Sequence, residues 1–264
     1  MTIAPSPVTA VDFAHESAAL GRRKLVQVAA PAHVTPDTPV LVLLHPFAGN
    51  RTSWLRHAPE MVADLSRDTL VAMPECGRRW FIDDHAGVPY ARYVTEDLLP
   101  ALRAASGATG PVAIGGFSAG GAAAFFLALR RPDIFGAALA VAGAFTAAER
   151  TGDPYAAART DDMMIPTEAE HDRVWGLPGS PTRAAHDLAA LVAACPGDGP
   201  APRFHLDVGT EDFPRMLAAS GTMASLLAAA GLDHTFTHSP GDHSWPYAAR
   251  AMRDVVSRWR DGAA

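Results

Sequence analysis

The stretch Val112-Ala113-Ile114-Gly115-Gly116-Phe117-Ser118-Ala119-Gly120-Gly121 constrains this chain more than any other. A short apolar run of strand type ends in four glycines around one serine, and an Ala-, Leu- and Phe-rich run of helical type follows to Arg130, stopped by Pro132. A strand that passes into a helix within so few residues must turn sharply. Glycine supplies the room for that turn, and the turn lifts the Ser118 hydroxyl clear of both elements. The helix that follows would point the free N–H groups of its first turn at the same spot, where they favour developing negative charge.

The rest of the chain repeats the alternation. Strand-like runs fall at Leu25-Val28, Val40-Leu44, Leu70-Met73, Val112-Ile114, Ala137-Ala142, Phe204-Val208 and His234-Thr237. Helical patterns fall between and after them at Tyr90 to Ser106, Ala119 to Arg130, Phe213 to Ala230 and Ser244 to Arg260. This predicts an α/β fold, a mostly parallel central sheet with helices on both faces, built as one domain over residues 1–264. The segment from Phe145 to Pro181 interrupts the rhythm with Gly, Pro, Asp and two methionines, is too long for an ordinary connection, and reads as a lid or cap insertion or else a poorly ordered excursion.

A serine hydroxyl attacks only when a base takes its proton, so the base and its partner acid have to be found downstream. His234 and His238 belong to the strand-like run His-Thr-Phe-Thr-His, whereas His243 lies beyond it in the loop Pro-Gly-Asp-His-Ser-Trp, where a side chain is free to converge on the turn. His243 is therefore the candidate base. A metal pair at His234 and His238 would need a helix to bring i and i+4 together, so no metal is expected there. The acid is sought in Phe-His-Leu-Asp-Val-Gly-Thr-Glu-Asp-Phe. Asp207 lies inside the strand, and Asp212, three residues past Gly209, is preferred to Glu211; its competing reading is a helix N-cap before Phe213-Pro214. For the oxyanion, the amide of Ala119 pairs with that of Phe47 in the loop after Val40-Leu44, because Pro46 has no N–H to give.

Taken together, LVLLHPFAGNRTSW, MPECGRRWF, GGFSAGG, GTEDF and PGDHSW resemble the α/β-hydrolase esterases of the Putative esterase family, which includes tributyrin esterases, S-formylglutathione hydrolases and mycolyltransferases. The resemblance runs from about Val40 to Trp259, with the motifs in the family's order. It implies an α/β-hydrolase fold, Ser118, Asp212 and His243 as the catalytic triad, and the amides of Phe47 and Ala119 as the oxyanion hole. It also sets Trp80, Phe81 and Tyr90 in a segment that lines the acyl site, against the alternative that they pack a sheet edge. The family usually carries His-Gly where this chain has His45-Pro46, a stiffer loop.

The resulting expectation is a serine esterase or thioesterase working through an acyl-enzyme on Ser118. Transfer of the acyl group to an alcohol or amine is the alternative within that chemistry, and a non-catalytic ligand-binding hydrolase fold the alternative outside it. The expected partner is a small-molecule ester or thioester, without metal or organic cofactor. A net charge of −6 gives no reason to expect nucleic acid. No stretch approaches the about 18 apolar residues of a membrane helix, the first residues lack a basic, then apolar leader, and two cysteines, Cys76 and Cys195, lie outside any ligand motif. A cytoplasmic protein is the default, with a homodimer left open.

Overall fold

The computed structural model describes residues 9–152, 165–195 and 201–262. Among these, eight strands form one sheet: β1 (Ala10–Ser17), β2 (Arg22–Ala29), β3 (Val40–Leu44), β4 (Leu70–Met73), β5 (Val112–Phe117), β6 (Ala137–Val141), β7 (Arg203–Gly209) and β8 (His234–Ser239). Their order is β1-β2-β4-β3-β5-β6-β7-β8. The first two strands form an antiparallel hairpin and β2 runs antiparallel to β4, while every pairing from β4 to β8 is parallel. The parallel strands β3 to β6 are buried throughout, as their uninterrupted apolar runs require when helices cover both faces.

The helices are α1 (Ser53–His57), α2 (Pro59–Leu65), α3 (Tyr90–Arg92), α4 (Leu99–Ser106), α5 (Ala119–Arg130), α6 (Glu168–Trp175), α7 (Pro181–Ala185), α8 (Leu188–Ala193), α9 (Pro214–Ala229) and α10 (Trp245–Asp261). A π-helical segment, Tyr93–Leu98, joins α3 to α4 immediately ahead of Pro100. Proline cannot donate to the carbonyl four residues back and its ring crowds that turn, so the helix widens there. Helix α5 is apolar all round and all but its last residue is buried, because it crosses β3, β5 and β6 with other elements behind it. Helices α5, α8 and α9 pack together over one face, and α1, α2 and α10 over the other. This is the α/β-hydrolase fold.

One departure from the sequence reading has a physical cause. Strand β1 carries His15 and Glu16 beside its apolar residues and lies at the sheet edge, so neither composition nor alternation announces it. The Phe145–Pro181 segment is described as a 3-10 turn (Phe145–Glu149), then α6 and the start of α7, with 153–164 outside the described residues. Arg183 of α7 is buried and donates to the carbonyls of Gly176, Ala148 and Arg150, tying both ends of that segment together. Cys76 and Cys195 are free and buried.

Two glycines with opposite surroundings test this packing. A Cβ on Gly120 would lie 2.6 Å from the Leu44 carbonyl oxygen, whereas one on Gly221, within α9, would meet nothing within 4 Å. Gly120→Ala should lose about 1–3 kcal/mol or more to overpacking. Gly221→Ala should gain about 0.5–1 kcal/mol from helix propensity. Thermal midpoints moving down and up respectively are expected; a neutral Gly120→Ala would contradict the close approach.

Candidate active site

Strand β5 delivers Ser118 to the C-terminal edge of the sheet in a backbone conformation of φ 55°, ψ −116°, outside the regions L-residues ordinarily occupy. Three hydrogen bonds hold it there: its own amide donates to Val141 at 2.9 Å, and its carbonyl accepts from Ala122 and Ala144, each at 3.1 Å. The flanking glycines are sterically required. A Cβ on Gly116 would come within 2.5 Å of the Gly120 carbonyl carbon, and both glycines lie against the Leu44 carbonyl. The same Leu44 oxygen accepts the indole N–H of fully buried Trp54 at 3.1 Å, so the end of β3, the turn and α1 are locked as one unit.

The candidate acid and base, Asp212 and His243, arrive on two loops that interlock. Thr210 donates its amide to Ser239 and Glu211 donates its amide to Gly241, each at 2.9 Å, and a Cβ on Gly209 would fall 2.2 Å from the Gly241 oxygen. Gly241 itself sits at φ +140°, a conformation side chains avoid. Held in this register, the His243 Nδ1 donates to both carboxylate oxygens of Asp212, at 3.0 and 2.9 Å. The carboxylate side chain is fully buried and also accepts the Phe213 amide at 2.6 Å. Asp212 does not cap α9, whose N-cap is Phe213, and the neighbouring Glu211 is exposed. With Nδ1 engaged as donor, the neutral imidazole has Nε2 free to accept a proton.

Behind these loops the buried carboxylate of Asp207 accepts hydrogen bonds from the hydroxyls of Ser239, at 2.7 Å, Thr237 and Tyr247. Burial, reinforced by that carboxylate, holds the Tyr247 phenol far above its ordinary pKa and keeps it a donor. The strand acid thus ties β7, β8 and α10 together beneath the site.

The loop after β3 turns through Pro46-Phe47-Ala48-Gly49, with the Gly49 amide on the Pro46 carbonyl at 3.0 Å and Ala48 at φ 61°. Pro46 occupies a position where no donor is needed. Inside the turn, buried His45 donates from Nδ1 to the Pro46 carbonyl at 2.6 Å and accepts the Cys76 amide at Nε2, 3.0 Å away. Burial pulls its pKa down to about 4, so it stays neutral. Among the described residues the Phe47 amide donates to no protein group. The Ala119 amide opens α5, where a helix offers no acceptor of its own.

Ser118, His243, Phe47 and Ala119 all line one cleft of about 590 Å³. Its other walls include Arg56, His57, Trp80, Phe117, Phe213, Met216 and Trp245. The imidazole of His243 rests against Phe117, with ring centroids 4.6 Å apart, and against Phe213 at 5.4 Å.

The model of the family described as Putative esterase matches residues 17–257. The chain belongs to that family. Membership makes it a serine ester hydrolase. Its fold is similar to that of the fluorophosphonate-binding serine hydrolase FphF of Staphylococcus aureus, with 18% identity and a TM-score of 0.78 over 96% of this chain and 98% of that one. It is similar to the S-formylglutathione hydrolase FrmB of the same organism, at 19% identity and 0.75 over 96% and 99%. A third likeness is to MPT51 of Mycobacterium tuberculosis, at 18% identity and 0.73 over 95% and 97%. No curated protein matches the sequence significantly.

Of the aromatic residues read as substrate contacts in this esterase, Trp80 lines the cleft. Phe81 and Tyr90 lie behind it: Phe81 packs edge-on to His45 at 5.0 Å, and Tyr90 packs on Phe81 and Tyr93 and accepts from Arg22. His234 and His238 are part of β8, and among the described residues no cluster of three metal-ligating side chains is present. Sequence reading missed Arg56, His57 and Trp245. The signal available was the short distance of RTSWLRH from the Phe47 turn, and of Trp245 from His243.

The two bonds of His45 fix its tautomer. Imidazole nitrogen NMR should report a neutral, Nδ1-protonated ring from pH 8 down to about 5. Protonation near pH 6.5 would contradict the buried turn.

Proposed function

We propose that this esterase hydrolyses carboxylic esters or thioesters with Ser118 as nucleophile, His243 as general base and acid, and Asp212 as the group that fixes the imidazole. The observation that carries the reading is the buried Asp212–His243 pair at 2.9 Å in the cleft that also holds the strained Ser118. Ser118 Oγ attacks the carbonyl carbon as its proton passes to His243 Nε2. The oxyanion is met by the amides of Phe47 and Ala119, preorganised donors worth about 10²- to 10³-fold each in comparable sites. Collapse expels the leaving group, which takes the proton from His243. Water then attacks the acyl-enzyme, giving its proton to His243, and release of the acid restores the serine hydroxyl.

Acyl transfer to an alcohol is the second reading. Arg150, Ile165 and Pro166, from either side of residues 153–164, line the cleft, which supports a cover over this wall from the 145–181 segment. A covered acyl-enzyme would favour an organic acceptor over water. A binding-only role has no observation in its favour, since a buried acid and a base that partners it are both in place.

Labelling with a fluorophosphonate followed by peptide mass spectrometry should mark Ser118, and Ser118→Ala should abolish both label and p-nitrophenyl ester turnover. Asp212→Asn should lower kcat by about 10³- to 10⁴-fold by presenting the wrong imidazole tautomer. Glu211→Gln should change it little. Full activity in Ser118→Ala would refute the assignment.

A further inference from the structure

The loop that leaves β4 holds the Phe47 turn residue by residue. The Cys76 amide donates to His45 Nε2 at 3.0 Å, the Gly77 carbonyl accepts the Ala48 amide at 3.1 Å, and the Arg78 guanidinium lies over the Phe47 ring, 5.0 Å from its centroid. The first two grips are made by the backbone of the loop and the last by a side chain. Backbone grips survive a change of residue; the one on Phe47 depends on arginine.

Arg78 reaches in the other direction as well. Its Nε and Nη2 donate to the two carboxylate oxygens of Glu170 in α6, at 2.5 and 2.7 Å, and Nη2 also donates to the Ile165 carbonyl at 3.3 Å. Ile165 lines the cleft, so one guanidinium joins a wall of the site to the Phe47 turn. An exposed ion pair adds little by itself, but a two-pronged guanidinium–carboxylate pair fixes orientation. The carboxylate is itself held, since it accepts the Thr167 amide at 2.9 Å and the Thr167 hydroxyl at 3.2 Å in the capping box of α6. Arg78 foremost, then these bonds, pulls the Glu170 pKa down to about 2, so the pair is ionised from mildly acidic pH upward. Helix α6 is also fastened further along: the His85 amide donates to the Val174 carbonyl at 2.8 Å, and Trp80 packs edge-on to Trp175 at 5.0 Å. These contacts keep α6 docked without Arg78. What Arg78 adds is the register of the helix's N-terminal end with the Phe47 turn.

We propose that Arg78 is a positioning residue for the reaction: with its face on Phe47 and its fork on Glu170 and Ile165, it fixes the aim of the Phe47 amide and ties that aim to the neighbouring cleft wall. This rests on the esterase reading, in which the Phe47 amide meets the oxyanion. A backbone donor can be aimed only by holding its turn, and a misplacement of about 1 Å at a reacting centre costs about 10²-fold. A planar guanidinium does both tasks at once, its face against the ring and its edge donating in the plane, which the point charge of lysine cannot reproduce. Arg78 does not line the cleft and acts through Phe47.

The test measures p-nitrophenyl acetate turnover by the full-length enzyme per active site titrated with a fluorophosphonate, so that partial unfolding does not count as lost catalysis. Arg78→Gln should lower kcat about tenfold and move KM less than about threefold, because the loss falls on the transition state. Phenyl trifluoromethyl ketone, whose adduct on Ser118 carries an oxyanion in the same place, should bind more weakly by the factor by which kcat/KM falls. Glu170→Gln, which leaves Arg78 in place but loosens its fork, should reproduce part of the loss, and the double variant should fall no further than Arg78→Gln alone. Arg173→Gln removes the exposed arginine 4.0 Å from the same carboxylate and leaves kcat as it is. Undiminished kcat and ketone affinity in Arg78→Gln, a rise in KM alone, or losses that add in the double variant would overturn the proposal while leaving the esterase reading intact. An unsubstituted enzyme that neither takes the fluorophosphonate nor turns over p-nitrophenyl esters would overturn that reading and this inference with it.

Discussion

Everything at this site depends on how closely the backbone of β3 approaches the turn between β5 and α5. The carbonyl oxygens of Leu44 and His45 stand where a Cβ on Gly120 would be, at 2.6 and 2.7 Å, and the Leu44 oxygen stands 2.8 Å from where one on Gly116 would be. Two backbones can come this near only where side chains are missing. The approach forces Ser118 into a positive φ, a cost of about 1–3 kcal/mol that the surrounding hydrogen bonds and the buried α5 must offset. What it yields is a hydroxyl at a set height above the sheet, and the first amide of α5 a fixed distance from the Phe47 turn. The proposed nucleophile and oxyanion donors are thus arranged by one contact.

The proposed acid and base, Asp212 and His243, are positioned by a second close approach of the same kind. Gly209 and Gly241 bring the two loops into van der Waals contact, and the Asp207 cluster below them pins β7, β8 and the start of α10 through three hydroxyls. Polar groups that are buried and fully engaged are stiff, since any displacement leaves a carboxylate without its donors. His45 does the same for the Pro46–Gly49 turn, satisfied at both ring nitrogens and kept neutral by burial. The proposed catalytic constellation therefore stands on buried, interlocked backbone, and the walls of the cleft that face solvent are free to carry specificity.

Much of this was legible because it follows local rules. Strand runs, the α5 pattern with its Pro132 stop, and the serine between glycines are all short-range signals, and the order of acid and histidine along the chain singled out Asp212 and His243 for the places they occupy. What escaped the sequence needs the third dimension. Edge strand β1 is paired on one side only and tolerates polar residues, so its pattern is blurred. Asp207 reads as one acid among three, and only the fold shows its hydroxyl partners converging from residues 30 to 40 positions away. Phe81 and Tyr90 adjoin Trp80 in the chain or the loop, yet a turn of backbone puts one aromatic into the cleft and two behind it.

The separation between stiff machinery and open wall also limits which side chains the wall can carry. An acid near the cleft would compete with Asp212 for the proton on His243 and would meet the developing oxyanion with repulsion, so the chemistry alone disfavours carboxylates there. Cations carry no such penalty at the rim, provided they lie outside the Asp212–His243 contact. Arg56 satisfies this: it stands on a helix anchored by Trp54 to the Leu44 carbonyl, near the site but outside its hydrogen-bond network. The contact that sets Ser118 therefore also sets the helix on which Arg56 stands, so this wall of the cleft keeps its register with the turn that carries the serine.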